Sequence, residues 1–353
     1  MICLPRICRR NDAVHVLDCA MTTSLNLSGK RMLVTGASGF IGSHLCRCLL
    51  KENAEVHAVS RKKYTSADTR LRWWQGDLSD VGAVRNILTA VRPDTIFHLA
   101  SHVAGARDLE LVLSMFNSNL CAAVNVLTVA AEMGCRRIIL AGSLEEAGPN
   151  DSEVVPSSPY AAAKWACSAY ARMFYALYKT PVVIARLFMV YGPGQQDLSK
   201  LVPYVALSLL QGNAPKLASG QREVDWIYVE DAVDGLIAMA DSPDIEGKTI
   251  DLGSGTLVPI RTVVNHMVKM VNPGIQPLFG ALPDRPMEQV RAADTSGTFD
   301  SIYWRPVTSL ENGLAQTIDW YRRGLDTAAR EENQGLCAVG SKRMREVKKN
   351  REI

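Results

Sequence analysis

Apolar runs alternate with helical patterns between residues 30 and 191 of this 353-residue chain. Six short apolar runs predict β-strands, at Arg31–Thr35, Glu55–Ser60, Leu71–Gly76, Thr95–Ala100, Arg137–Gly142 and Val182–Phe188. Four stretches with helical spacing of apolar residues predict helices, at Ile41–Lys51, Val81–Val91, Leu109–Met133 and Tyr160–Tyr178. Continuous apolar strands joined by helices are typical of a parallel sheet covered on both faces. We therefore predict an α/β fold with a doubly wound, Rossmann-type parallel sheet, whose ligand lies beyond the carboxyl ends of the strands.

The alternation loosens after Gly192, where loop-forming residues interrupt the chain. Stretches such as "QGNAPKLASGQ" predict a smaller C-terminal substrate lobe, mainly residues 192–325, that is interleaved with a first domain over residues 30–191. The segments near residues 224–255 are expected to return to the first domain. Residues 1–29 are predicted to form a flexible N-terminal extension, and residues 326–353 a basic disordered tail.

Three glycines follow the first predicted strand and open the next helix: Gly36, Gly39 and Gly42 in "TGASGFIG". Because glycine has no Cβ, the backbone can turn tightly there and approach a pyrophosphate at the positive end of a helix. The strand–glycine–helix context is typical of dinucleotide binding. The pattern therefore predicts that residues 30–191 bind a dinucleotide; a close helix–strand turn without a ligand is the alternative.

The end of the second predicted strand indicates which dinucleotide is bound. NAD sites usually place a carboxylate there, whereas "EVHAVSRKK" places Ser60 and Arg61 there, followed by two lysines. A guanidinium and a hydroxyl suit the 2′-phosphate of NADP, which a carboxylate would repel. We therefore predict NADP as the cofactor, with NAD as the alternative. Asp77 is expected to accept a hydrogen bond from the adenine amino group, or to cap the helix that follows.

A proton-transfer pair is predicted in "SPYAAAK", where Tyr160 and Lys164 lie four residues apart on one helical face. An ammonium group beside a phenol favours the phenolate and lowers its pKa toward a useful value. Ser143 closes the fifth apolar run, at the edge of the sheet where a nicotinamide would lie. Its hydroxyl is expected to hydrogen-bond the substrate oxygen that gains or loses a proton.

With these residues in place, the sequence resembles the extended short-chain dehydrogenase/reductase superfamily, and within it the NAD-dependent epimerase/dehydratase family. The similarity spans about residues 30–325. It rests on an ordered series of motifs: "TGASGFIG", "GDLSD", "FHLAS", "ILAGSLEEAG", "SPYAAAK", "RLFMVYGPG" and "VDWIYVEDAV". The resemblance implies that the C-terminal lobe binds a nucleoside-diphosphate sugar.

The resemblance also implies roles for individual residues. Tyr160 is the acid/base, Lys164 modifies its pKa and clamps the ribose, and Ser143 positions the substrate. Asn119 matches the asparagine that this superfamily uses to support the catalytic lysine through water. The expected cofactor contacts are Gly36, Ser38, Gly39, Phe40, Ile41, Gly42, Ser60, Arg61, Asp77, Leu78, Ala100, Tyr160 and Lys164.

Departures from the family pattern concern the substrate. Met189 stands where an asparagine amide commonly touches the substrate, and Val224 stands where many relatives have an arginine. Arg222, two residues earlier, is expected to reach the diphosphate instead. Arg285 resembles the other phosphate-binding arginine of the family. A surface position is the alternative for both arginines.

The loop "SLEEAG" departs from the family dehydratases, which tend to place an acid–base carboxylate pair directly after the catalytic serine or threonine. Leu144 occupies the first of those two positions. Glu145 is left as a candidate catalytic proton donor; its alternatives are an acceptor for a substrate hydroxyl and a capping residue. The loss of one carboxylate disfavours dehydration, because elimination of water needs an acid and a base beyond the tyrosine.

Three functions are compatible with these residues. The leading prediction is an NADPH-dependent reductase, which transfers a hydride to a nucleotide-linked 4-keto-6-deoxy sugar while Tyr160 donates the proton. The alternative is a nucleotide-sugar epimerase (or dehydratase) that retains its cofactor. A catalytically silent dinucleotide-sensing protein is the third, and the presence of both Tyr160 and Lys164 disfavours it.

Composition excludes several other classes. A net charge of +3 is too small to imply a nucleic-acid partner. Nine cysteines and six histidines are scattered without metal-ligand spacing, so no metal site is predicted. No uninterrupted run of about 18 apolar residues exists, so a membrane partner is not expected. We expect reduced thiols, a cytoplasmic location and a homodimer formed through the two long predicted helices.

Overall fold

The structure is a computed structural model, and it describes residues 27–146 and 155–333, with side chains to residue 327. The strands are β1 (Arg31–Thr35), β2 (Glu55–Ser60), β3 (Leu71–Gln75), β4 (Thr95–His98), β5 (Arg137–Ser143), β6 (Val182–Leu187), β7 (Met189–Tyr191), β8 (Lys216–Leu217), β9 (Glu223–Tyr228), β10 (Thr249–Leu252), β11 (Leu257–Pro259) and β12 (Leu278–Phe279). The α-helices are α1 (Phe40–Lys51), α2 (Val81–Val91), α3 (Leu111–Met115), α4 (Ala122–Met133), α5 (Pro159–Tyr178), α6 (Leu201–Leu210), α7 (Val229–Asp241), α8 (Ile260–Val271), α9 (Thr295–Ile302) and α10 (Leu310–Asn333).

Seven strands form one parallel sheet in the order β10, β6, β5, β4, β1, β2, β3. The doubly wound fold predicted from the sequence is thereby confirmed. A three-stranded sheet (β11, β9, β7) and a two-stranded sheet (β12, β8) make up the smaller lobe. Because β10 from the C-terminal part of the chain pairs with β6, that lobe is interleaved with the first sheet.

Both faces of the large sheet are covered because alternate residues of each strand point to opposite sides. On β1, Met32 and Val34 join a buried cluster that includes residues of α1 and α7. Leu33, between them, joins a second cluster with residues of α2, α4 and α5. This double burial explains why the central strands read as continuous apolar runs rather than as alternating ones.

The predicted helix over residues 109–133 is divided by a π-helical segment, Phe116–Cys121, between α3 and α4. By length and composition alone, Leu111–Met133 is apolar enough to cross a membrane, and among the described residues no other helix meets that test. Part of its surface packs against α2 and α5. Leu113 and Phe116 are exposed on the remaining surface. Pairing of two copies through this surface and α5 stays a prediction.

The chain ends fall only partly within the described residues. Of the predicted N-terminal extension, residues 1–26 lie outside them, whereas Leu27 is buried in the core beneath the sheet. Of the predicted tail, residues 334–353 lie outside them. Helix α10 continues to Asn333, past residue 326, where the tail was expected to begin.

The contact between the start of α1 and the end of β1 predicts the cost of a side chain at Gly42. A Cβ there would lie 2.2 Å from the carbonyl oxygen of Gly36, which is backbone and gives way poorly. We expect Gly42→Ala to lower the free energy of unfolding by about 2–4 kcal/mol, measured by urea denaturation.

Gly324→Ala is the matched control, because Gly324 is also helical and a Cβ there would meet no atom within 4 Å. That change is expected to raise stability by up to about 1 kcal/mol. Equal urea midpoints for Gly42→Ala and Gly324→Ala would contradict the conclusion that the backbone contact at Gly42 excludes a side chain.

Candidate active site

The candidate site lies at the carboxyl ends of β1, β4 and β5, which parallel pairing brings to one edge of the sheet. The ends of β1 and β4 are joined through Thr35, whose Oγ1 lies 3.0 Å from His98 Nδ1 and accepts a hydrogen bond from the Ala100 amide at 3.1 Å. Ala100, a predicted cofactor contact, is therefore held directly beside the glycine-rich turn. This edge is where ligands bind in doubly wound folds.

Two of the three motif glycines are required by the protein's own backbone. Gly36 has a φ of +67°, and a Cβ on it would lie 2.8 Å from the Ala100 nitrogen. Gly42 allows α1 to approach Gly36, as described above. The sequence predicts that the glycines allow a tight turn and the approach of a pyrophosphate, with close helix–strand packing as the alternative; at Gly36 and Gly42 the structure shows close packing of the backbone.

Gly39 is the motif glycine at the start of α1, and a Cβ on it would lie 3.1 Å from the Gly36 carbonyl oxygen. It occupies the N-cap position of α1, where no side chain caps the first amides. Phe40 and Ile41 then begin the helix. Uncapped amides at a helix start carry partial positive charge and suit an anion. The turn therefore fits the pyrophosphate of a dinucleotide.

The predicted ribose and adenine contacts lie around the ends of β2 and β3. Ser60 Oγ accepts a hydrogen bond from the Lys62 amide at 3.1 Å and lies 3.4 Å from Ser38 Oγ. Arg61 is exposed next to it, so its guanidinium is accessible to a phosphate. This placement agrees with a ribose site at the end of β2.

Asp77 closes the turn that precedes α2. Its Oδ1 accepts hydrogen bonds from the amide and the hydroxyl of Ser79, at 3.0 and 2.8 Å, and the amide bond is the main cause that lowers its pKa. The cap of α2 is Asp80, whose Oδ1 accepts from the Gly82 amide. The helix-cap alternative for Asp77 is therefore wrong. Leu78, the adjoining predicted contact, is buried.

A strap formed by residues 192–197 crosses the glycine-rich turn, and the sequence analysis did not predict it. Gln196 Nε2 donates to the Ser38 carbonyl at 2.5 Å, and His44 Nε2 lies 2.9 Å from the Pro193 carbonyl. The Tyr321 hydroxyl donates to the Gln195 carbonyl at 3.2 Å. The strap is thus attached to the turn, to α1 and to α10.

Helix α5 presents Tyr160 and Lys164 toward the end of β5. The helix begins with Ser158, whose Oγ accepts from the Ala161 amide at 3.2 Å, and with Pro159 in the first turn. The Lys164 ammonium donates to the Ala141 carbonyl of β5 at 2.8 Å. Lys164 is thereby fixed one helical turn after Tyr160, beneath the edge where Ser143 ends the strand.

The electrostatics of this pair differ from the sequence prediction, in which Lys164 lowers the pKa of Tyr160. Burial raises the pKa of Tyr160, and interaction with the Ser143 hydroxyl opposes that effect. Burial also lowers the pKa of Lys164. Desolvation therefore dominates the pKa of both groups, because each charged form loses water on burial.

Asn119 lies in the π-helical segment and organises the loop after β4. Its Oδ1 accepts from the His102 amide at 2.7 Å and from Ser101 Oγ at 3.2 Å, and its Nδ2 donates to the His102 carbonyl at 3.1 Å. Its own carbonyl accepts from Cys167 Sγ on α5 at 3.5 Å. Asn119 therefore connects the loop to the helix that carries Lys164.

Glu145 and Arg222 form an ion pair next to Ser143. Arg222 Nη2 lies 3.0 Å from Glu145 Oε1, and Nη1 lies 3.1 Å from Glu288 Oε1. Ser157 Oγ donates to Glu145 Oε2 at 3.3 Å, and the Glu145 amide donates to Ser143 Oγ at 3.2 Å. Arg222 thus belongs to the site, but its guanidinium is bound to two carboxylates. Diphosphate binding by Arg222 stays a prediction.

Arg285 is exposed on the loop before α9, and a Cβ on Gly105 would lie 2.5 Å from its Nη1. Among the described side chains it makes no ion pair within 4.0 Å. The same two loops are also joined through Arg107, which donates to the Pro286 carbonyl and, at 2.6 Å, to the Ser157 carbonyl. Arg285 is therefore the predicted phosphate ligand whose charge is not already neutralised.

Leu144 and Met189 make the substrate side of the site more apolar than the family pattern. Leu144 is buried in the core cluster beneath the sheet, so it supplies no acid or base. Met189 begins β7 and is half-buried against two core clusters. Neither residue provides a hydrogen bond from its side chain to a sugar hydroxyl.

Comparison with known proteins shows to which family the chain belongs. The profile of the "NAD dependent epimerase/dehydratase family" matches residues 32–253. The chain belongs to this family. The resemblance stated from the motifs is thereby confirmed.

Individual relatives are nucleotide-sugar enzymes. A dTDP-glucose 4,6-dehydratase of Mycolicibacterium smegmatis is 29% identical over 314 residues, which cover 83% of this chain and 93% of that protein. A UDP-glucose 4-epimerase of the same organism is 27% identical over 316 residues, covering 83% and 98%. The crystal structure of Thermus thermophilus UDP-glucose 4-epimerase in complex with NAD is similar with a TM-score of 0.72 and 25% identity, covering 83% and 99%. These relatives favour the epimerase/dehydratase alternative over the reductase that led the sequence prediction.

The Arg222 ion pairs predict a stability effect of their own. Arg222→Gln leaves Glu145 and Glu288, whose side chains are only 19% and 22% exposed, without their cation. We expect it to lower the free energy of unfolding by about 1–3 kcal/mol in urea denaturation at neutral pH.

Arg72→Gln serves as the control, because Arg72 is 64% exposed in its pair with Glu55. That change is expected to cost less than about 0.5 kcal/mol. A cost for Arg222→Gln no larger than that of the control would show that the site does not depend on this pair.

Proposed function

We propose that this chain is an epimerase of a nucleoside-diphosphate sugar that retains its nicotinamide dinucleotide between turnovers. The observation that carries the proposal is the placement of Ser143, Tyr160 and Lys164 at the carboxyl end of β5, beside a glycine-rich turn that fits a pyrophosphate. Similarity to UDP-glucose 4-epimerases supports the substrate class.

The chain's own residues divide the proton chemistry between them. A bound nicotinamide supplies an acceptor and a donor of hydride. Tyr160 takes the proton from the sugar hydroxyl during oxidation and returns it during reduction. Ser143 hydrogen-bonds the same sugar oxygen and holds it near the phenol. The Lys164 ammonium, held by the Ala141 carbonyl, orients the ribose and stabilises negative charge on the phenol when it forms.

Epimerisation is favoured over dehydration by the carboxylates of the loop after β5. Elimination of water needs an acid and a base in addition to the tyrosine. In this chain Leu144 is buried, and the Glu145 carboxylate is bound by Arg222 and Ser157. Because the Glu145 carboxylate already has two partners, it is better suited to bind a sugar hydroxyl than to act in an elimination that needs both an acid and a base.

Retention of the cofactor is supported by the strap over residues 192–197. Its contacts to Ser38, His44 and Tyr321 join the glycine-rich turn to α1 and α10. A dinucleotide bound beneath these contacts would leave only after they open. Such slow exchange suits an epimerase, which regenerates its cofactor in every cycle, better than a reductase, which must exchange it.

The proposal is tested by mixing the purified protein with NAD or NADP and, in turn, UDP-glucose and dTDP-glucose as probes. We expect sugar product to accumulate without net change in nicotinamide absorbance, because oxidation and reduction cancel. Tyr160→Phe is expected to lower the rate at least about 100-fold, since the acid/base is removed, while calorimetry shows unchanged dinucleotide affinity.

Tyr170→Phe is the control, because Tyr170 is exposed on the same helix, and its rate should equal that of the wild type. Stoichiometric consumption of NADPH with a 4-keto-6-deoxy sugar nucleotide would instead establish the reductase. Absence of dinucleotide binding by the folded protein would refute both functions.

The choice of dinucleotide is tested at Arg61. We propose that the Arg61 guanidinium binds the 2′-phosphate of NADP and that NADP is therefore the cofactor. The Thermus thermophilus relative, by contrast, was crystallised with NAD. Arg61→Ala is then expected to weaken NADP binding about 10-fold or more, measured by calorimetry, and to leave NAD binding within about twofold.

Arg172→Ala, at an exposed position on α5, controls for the loss of one positive charge. Equal effects of Arg61→Ala on the two dinucleotides would show that Arg61 does not read the 2′-position.

A further inference from the structure

Glu146 is a buried acidic residue that the mechanism above does not use. It directly follows Glu145, yet only 2% of it is exposed, and its side chain turns back beneath the end of β5. Burying an acidic group is unfavourable unless neighbouring groups compensate. Its environment therefore indicates a role that an apolar residue would not fill.

The carboxyl group contacts the backbone that carries Ser143. Glu146 Oε1 accepts a hydrogen bond from the Ser143 amide at 2.7 Å. The space for this oxygen exists because the preceding residue is a glycine: a Cβ on Gly142 would lie 2.7 Å from Oε1. Gly142 and Glu146 are therefore matched, and together they determine where the Ser143 backbone lies.

Charged and titratable groups face Glu146 from both elements packed against this turn. From β6, Arg186 lies close enough to interact with it, although its Nη1 is paired with Asp251 at 2.9 Å. From α5, the groups that interact with its charge are Tyr160, Lys164 and Cys167. On its own loop, Glu145 acts on the same phenol. A charge on Glu146 is therefore felt directly by the proton-transfer pair.

We infer that Glu146 is a positioning residue for proton transfer, because its buried carboxyl group fixes the Ser143 amide and its charge sets the electrostatic field at the Tyr160 hydroxyl. The inference rests on the proposed function, in which Tyr160 exchanges the proton. It adds a fourth member to the Ser143–Tyr160–Lys164 group.

The sign of the effect follows from the charges. A carboxylate near a phenol opposes formation of the phenolate, and a carboxylate near an ammonium favours the protonated amine. Burial raises the pKa of Glu146, whereas the Ser168 hydroxyl, the Ser143 amide, Arg186 and Lys164 act in the opposite direction. Above the range in which Glu146 ionises, it therefore keeps Tyr160 protonated and Lys164 charged.

The test removes the charge and retains the shape. In Glu146→Gln the amide oxygen still accepts from the Ser143 amide, so the backbone is expected to stay in place. The readout is the pH at which Tyr160 ionises in NADP-loaded protein without any sugar. The ultraviolet phenolate difference spectrum between each protein and its own Tyr160→Phe counterpart isolates this residue from the other tyrosines.

We expect Glu146→Gln to move this ionisation to lower pH by at least about half a pH unit, with NADP affinity unchanged. Glu146→Val removes the charge together with the acceptor for the Ser143 amide, and it is expected to move the Tyr160 ionisation in the same direction. Glu223→Gln, at an exposed position at the start of β9, is the matched control and should leave it unchanged.

An ionisation pH equal to that of the wild type in either folded variant would overturn the inference. Failure of both variants to fold would assign Glu146 to folding and would overturn it as well. Because no sugar is present, these outcomes are independent of whether UDP-glucose or dTDP-glucose is a substrate. A negative result here therefore remains distinguishable from failure of the proposed function.

Discussion

The parallel pairing of β5 with β4 and β6 is the constraint on which the rest of the site depends. All seven residues of β5 are buried, so its course is set by both neighbours and by both faces of the sheet. Its last three residues place the Ala141 carbonyl against Lys164, and the Gly142 Cα and the Ser143 amide against the Glu146 carboxyl group. A shift of this strand by one residue would exchange the two faces and dismantle all three contacts.

Burial and charge act against each other throughout the site. Desolvation raises the pKa of Tyr160 and lowers the pKa of Lys164. Glu146 and Glu145 add negative charge near the phenol, and Arg222 pairs with the second of them. Ion pairing offsets part of the free-energy cost of removing these charges from water. Several charged groups, and not Lys164 alone, therefore surround the Tyr160 hydroxyl.

The two halves of the site differ in how closely they follow the family. The cofactor half retains the glycine-rich turn, the strand-end serine and the tyrosine–lysine pair. The substrate half carries Leu144 and Met189 in place of polar residues, and its Arg222 is occupied by carboxylates. Dehydratases and epimerases are both among the relatives. If the proposed function is correct, the residues of the substrate half are where the choice between the two reactions would be made.

The sequence by itself determined the elements of the sheet, since strands buried on both faces must be apolar throughout; β1 and β2 have their predicted bounds, and α2 does as well. It also determined the positions of Tyr160 and Lys164, because helical spacing is local. Only the tertiary structure decided what these residues face. Glu146 is turned away from solvent by the fold. The ion pairs of Arg222 and the contact of the strap with Ser38 join residues that lie far apart in the chain. Local patterns do not encode such contacts, because desolvation and ion pairing depend on what the fold brings together.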